Sequence, residues 1–124
     1  RLDGFLHWGY NFYNSEKSLY PIDPYRCTDA SGAFPSGDPF LVYPGKDRKP
    51  EESIRLMLMN EAMSDLRAMY LLEDLTDRET VMRCIEQTPE EEVTFSKYPR
   101  NISYMTACRE RVNEAIRAAI QKKI

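Results

Sequence analysis

The chain has 124 residues and a formal net charge of −3, with both signs well mixed along it, a length that suits one modest domain. No basic stripe points to nucleic acid, and neither a basic amphipathic helix nor an apolar run of roughly 20 residues points to a membrane. Cys27, Cys84 and Cys108 lie far apart with no CxxC spacing, so no metal or cofactor site is supported and they read as small buried hydrophobes in a reducing compartment.

The first element opens almost at Arg1, without a cap or polar lead-in, as expected for a piece of a longer protein. Residues 4 to 10, GFLHWGY, are rich in β-formers. Strand alternation puts Leu6, Trp8 and Tyr10 on one face and Phe5, His7 and Gly9 on the other. His7, the only histidine, shares its face with Phe5, which favours a packed, hydrogen-bonded ring over a catalytic one. A long stretch from 14 to 38 follows, with Pro, Gly, Ser and Asp throughout and no helical period. A connection of that length is usually functional; its rings and polar side chains suit a binding wall, with a solvated lid as the plainer reading. A short second strand is predicted over residues 40 to 43, FLVY, closed by Pro44-Gly45.

Composition changes near Pro50. All five glycines and most of the aromatics precede it, and the rest reads as helices. Pro50 suits a first helical turn, with Glu51 and Glu52 near the N-terminal dipole. Leu58, Ala62, Leu66, Met69 and Leu72 then recur at helical spacing, so a helix is predicted from about 51 to 75. Arg55 and Asp65 are assigned to packing and ion pairing along it. Thr76-x-x-Glu79 has the form of a capping box for a short helix to about Gln87. Thr88-Pro89-Glu90-Glu91 has the same form and is read as one further turn. Ile102, Met105, Val112, Ile116 and Ile120 mark a last helix to about Lys122, with Lys122 and Lys123 complementing its C-terminal end.

The stretches DGFLHWGYNFY, GDPFLVYPGKD and SIRLMLMNEAMSDLRAMYLLEDL together resemble the C-terminal end of the catalytic domain of glycoside hydrolase family 123, β-N-acetylgalactosaminidase-like proteins. The matching stretches run from residue 3 to about 75. His7 stands where relatives often carry Arg, Ala62 where Gly is common, and Leu66 where an aromatic is usual. These departures bear on subfamily more than on family. The resemblance implies an α+β segment forming the end of a (β/α)₈ TIM-type barrel. Residues 4 to 10 would be a late strand, 40 to 43 the final strand, and 51 to 75 the closing helix. The single segment 1–124 would then comprise strands and a long loop over 1–49 and helices over 50–124.

Barrel active sites gather at the C-terminal ends of strands, where Trp8, Tyr10, Asn11 and Tyr43 would lie. Trp8 suits stacking on a pyranose face, or a place in the core. Tyr10, Asn11 and Tyr43 suit hydrogen bonds to hydroxyls. Asp38 suits accepting from two hydroxyls, capping its own turn, or pairing with Arg55. The family also implies substrate-assisted hydrolysis, in which the sugar's 2-acetamido group attacks and an adjacent Asp-Glu pair orients it and supplies the acid. Glu51-Glu52, Glu73-Asp74 and Glu90-Glu91-Glu92 are all predicted at helix starts or ends, so no catalytic residue is assigned. The expectation is a sugar-binding wall of a glycosidase acting on N-acetylhexosamine-containing glycans, inactive alone and prone to self-association through residues 4 to 12. A non-catalytic carbohydrate-binding protein and a helical self-association module are the competing readings.

Overall fold

The computed structural model describes residues 6–88, 92–94 and 96–122. It is an α+β structure with one two-stranded antiparallel sheet, β1 (Val42–Pro44) and β2 (Pro50–Glu52), and helices α1 (Ile54–Leu75), α2 (Arg78–Ile85) and α3 (Ile102–Gln121). Two compact units divide the chain, Arg1–Glu61 and Ala62–Ile124.

In the first unit, the register pairs Val42 with Glu52, Tyr43 with Glu51 and Pro44 with Pro50. Pro50, Glu51 and Glu52 are therefore a strand, not the start of a helix. Proline donates no ladder hydrogen bond, so Pro44 and Pro50 sit opposite each other at the end of the ladder, where none is needed. The connection is the tight turn Lys46–Arg48, closed by the Gly45 amide donating to the Lys49 carbonyl at 2.9 Å.

Ser53 then converts strand into helix. Its hydroxyl donates to the Leu41 carbonyl at 2.6 Å and accepts from the Leu56 amide at 3.3 Å. One buried side chain thus satisfies a strand carbonyl and a first-turn amide of α1.

The predicted strand over 4 to 10 is not a ladder strand among the described residues, and Phe5 lies outside them. Pairing starts later. Asn11 forms an isolated antiparallel bridge with Phe40, the Tyr10 carbonyl accepts from the Leu41 and Val42 amides, and the Phe12 amide donates to the Pro39 carbonyl. Phe40, Leu41 and Val42 are buried beside this crossing. The alternation does survive in exposure: Leu6, Trp8 and Tyr10 are exposed, His7 is half-buried and Gly9 buried. The stretch 14–38 is pinned by turns, with an Asn14–Pro21 bridge, the Gly37 amide on the Thr28 carbonyl and Thr28 Oγ1 2.6 Å from Ser36 Oγ.

In the second unit, Leu72, Val81, Cys84 and Val112 form the core, with Ala68, Met69, Ile85, Ala115 and Ile116 packed around it. Thr76 is not the cap of α2. Its hydroxyl bonds back to the Leu72 carbonyl at 2.6 Å, and the cap passes to Asp77, whose Oδ1 accepts from the Thr80 amide at 2.7 Å. Helix α3 is capped by Asn101, which accepts from the Tyr104 amide at 2.7 Å. Last-turn carbonyls of α2 are taken up by α3: Arg111 Nε donates to Cys84 and the Tyr104 hydroxyl to Ile85. Asp65 accepts a two-pronged ion pair from Arg109 at 2.7 and 2.8 Å. The turn predicted at Thr88–Glu91 falls largely outside the described residues, as does Lys123.

Candidate functional site

The site expected from sequence splits into two places within the first unit. Trp8 and Asp38 form one. The indole Nε1 donates to Asp38 Oδ2 at 2.9 Å, and the ring lies against Phe34 (centroids 4.8 Å) and Phe12 (5.6 Å). Trp8 is nevertheless 50% exposed. Gly9 makes this approach possible, because a Cβ there would sit 2.6 Å from the carbonyl oxygens of Asp38 and Pro39. The Gly9 amide in turn donates to His7 Nδ1 at 3.0 Å, so the histidine is tied into the backbone.

Asp38 does not pair with Arg55 among the described residues. Arg55 Nε donates to the Phe40 carbonyl at 3.1 Å, and the guanidinium lies 5.0 Å from the Phe40 ring centroid and 5.7 Å from that of Tyr43. Gly37 leaves room for it, since a Cβ there would meet the Arg55 side chain at 2.9 Å.

Tyr10, Asn11 and Tyr43 form the second place. They line a groove of about 310 Å³ together with Tyr13, the hairpin segment Pro44-Gly45, and Arg48 and Lys49. Its back is an aromatic cluster. Tyr43 stacks on Tyr25 (4.9 Å, 25°) and meets Phe40 edge-on at 5.1 Å, while Tyr13 meets Phe40 edge-on at 5.6 Å. Hydroxyls fix two of these rings. Tyr13 donates to the Val42 carbonyl at 2.7 Å and Tyr25 to Glu51 Oε2 at 2.9 Å. Burial, reinforced by neighbouring Tyr10, raises the Tyr13 phenol. Tyr25 is raised first by its hydrogen bond to Glu51 and then by burial. Both remain neutral donors at physiological pH.

The sequence reading missed Tyr13, Arg48 and Lys49. The signal for the two cations lies in the punctuation Pro44-Gly45 and Pro50, which suits a hairpin as well as it suits a strand end followed by a helix start.

No adjacent carboxylate pair among the described residues sits in a shielded pocket. Glu51 and Glu52 are on β2 rather than a helix start, and both are exposed; Glu73 approaches Arg78 at 4.0 Å. A general acid of a glycosidase works from a pocket that excludes water. Cys84 and Cys108 are buried, whereas Cys27 is only half-buried and its thiol donates to Asp29 Oδ1 at 3.3 Å. Among the described residues no cluster of three or more His, Cys, Asp or Glu could hold a metal ion, and no helix is long and apolar enough to cross a membrane.

Compared with known proteins, residues 1–72 match the family described as glycoside hydrolase 123, catalytic domain. No curated protein matches the chain.

Proposed function

This chain belongs to the glycoside hydrolase 123 catalytic-domain family, and from that premise we propose that it supplies part of the wall that binds N-acetylhexosamine-containing glycans. One observation carries the reading: Tyr10, Asn11 and Tyr43, all within the matched residues, converge on a single groove. A groove of phenols and a primary amide over an aromatic back suits a pyranose, whose faces are apolar and whose rim is hydroxyls. Trp8 gives a second flat surface, held by Asp38. The placement of these elements at the end of a (β/α)₈ barrel rests on the family alone.

Catalysis is assigned outside the groove, because no shielded acid among the described residues stands in it. The 124-residue chain is therefore expected to show no turnover of aryl β-N-acetylhexosaminides, but to bind N-acetylhexosamine oligosaccharides weakly. Saturation-transfer NMR on the wild type and on Asn11→Ala with Tyr43→Ala tests it. Sugar signals that vanish in the variants support the reading. Signals unchanged in the variants, or turnover that survives repurification, refute it.

A further inference from the structure

The groove that holds Tyr10, Asn11 and Tyr43 is lined on its hairpin side by Arg48 and Lys49, and no carboxylate among the described residues lines it. Among the described residues neither cation is engaged in an ion pair or side-chain hydrogen bond. A free guanidinium offers five donors in a planar fork and a free ammonium three. Some other cations have carboxylate partners, as Arg109 does on Asp65 and Lys97 on Glu92. At the groove Arg48 and Lys49 face solvent instead.

The backbone that presents them is constrained. Asp47 and Arg48 both have left-handed φ, 56° and 60°, a conformation that side-chain-bearing residues adopt only when the surroundings impose it. Two hydrogen bonds impose it here, from the Gly45 amide to the Lys49 carbonyl (2.9 Å) and from the Lys49 amide to the Lys46 carbonyl (3.1 Å). Gly45 is also required, since a Cβ there would lie 2.6 Å from the Lys49 oxygen. Left-handed φ at both central residues is what a tight hairpin turn demands, and the same pairing recurs at Lys17–Ser18 and Ala30–Ser31; here the turn sets Arg48 and Lys49 at the edge of the groove.

We propose that the groove selects glycans carrying an anionic substituent, a sulfate ester or a uronate carboxylate, which Arg48 and Lys49 receive while Tyr10, Asn11 and Tyr43 hold the pyranose. The fork of Arg48 matches the paired oxygens of either group. The inference deepens the reading of the groove as a sugar site and depends on it.

Binding of three oligosaccharides of equal length to the 124-residue chain, followed by NMR titration, tests both levels separately. One alternates N-acetylgalactosamine with glucuronate, the second is the same chain bearing sulfate esters, and the third is a neutral N-acetylglucosamine oligomer. The charged ligands should bind about tenfold more tightly than the neutral one, as two solvent-exposed charge contacts allow. Preference for the sulfated chain over its unsulfated form identifies sulfate as the recognised group, and equal binding of the two identifies the carboxylate. Raising the salt concentration should erase the preference, and Arg48→Gln with Lys49→Gln should bring the charged ligands down to the affinity of the neutral one. Equal affinity for all three ligands, or a preference indifferent to salt, overturns anionic selection and leaves the sugar site standing. Failure of all three to bind overturns both.

Discussion

Trp8 and Asp38, 30 residues apart, are joined by a 2.9 Å hydrogen bond from the indole nitrogen to a carboxylate oxygen. The ring is at once half exposed and pinned, with Phe34 and Phe12 against it. Trp8→Phe keeps most of the packing and removes the donor. A hydrogen bond to a charged acceptor is worth roughly 1.5–3 kcal/mol, less where water competes, so a loss of about 1 kcal/mol is expected in urea denaturation. Asp38→Asn retains an acceptor and should cost less. A loss above ~3 kcal/mol for Trp8→Phe would place the ring in the core instead.

Gly9→Ala is expected to be worse than any change at the exposed ring beside it. The new Cβ meets two carbonyl oxygens at 2.6 Å, and these are backbone atoms that a rotamer change cannot move. Segments 10–12 and 39–42 must separate, and with them the Tyr10–Leu41 and Phe12–Pro39 hydrogen bonds. Overpacking of this kind typically costs ~1–3 kcal/mol. Amide exchange at Leu41 and Phe12 should accelerate in the variant while exchange in α3 does not. Unchanged protection at both amides would show that the segments have room to relax.

Helical periodicity made the helices legible. Apolar spacing alone indicates α1 and α3, and Leu72, Met69, Val112 and Ile116 do meet in one core. The ends were less legible, because capping is decided by which side chain is free. Thr76 looked like a cap until its hydroxyl went to the Leu72 carbonyl, leaving Asp77 to do it. Pro50-Glu51-Glu52 fits a helix start by composition, but the strand opposite, Val42–Pro44, is a long-range fact. Leu58 shares that spacing, yet it is 61% exposed. Tyr10, Asn11 and Tyr43 were named from sequence; that Arg48 and Lys49 join them required the hairpin.

Asp77 ties the stability of α2 to acid. The backbone N–H of Thr80, aided by the Thr80 side chain, holds its carboxyl below the ordinary range. A lowered folded value means a contribution fully present above the unfolded value of about 3.9 and lost as pH falls through the folded one. Asp77→Asn keeps the cap without the titration, so the acid loss of α2 amide protection should flatten. Asp77→Ala should lower protection at every pH. Asp29, lowered first by the Gly32 backbone N–H, adds its own acid limb, so the readout must be the α2 amides rather than global unfolding. An α2 acid profile unchanged in Asp77→Asn would refute the assignment.

Self-association was expected through an unpaired strand at 4 to 12, but residues 10–12 already have a partner in 39–42. One apolar stripe lies on the first turns of α1, where Ile54, Met57 and Leu58 share one side of the helix at 64%, 54% and 61% exposure. Burying the exposed part of each is worth roughly 1 kcal/mol, about 6 kcal/mol for two copies face to face. Association costs at least roughly 4 kcal/mol before any contact is counted, so this stripe supports a weak equilibrium and not a fixed dimer. The net of about 2 kcal/mol corresponds to a Kd of roughly 30 mM, so sedimentation velocity should show a constant weight-average coefficient at micromolar protein that begins to rise only at millimolar concentration. Leu58→Glu places a charge in the middle of the stripe and should hold the chain monomeric across that range without loss of helicity. A coefficient independent of concentration in the wild type would mean that the stripe does not bring copies together.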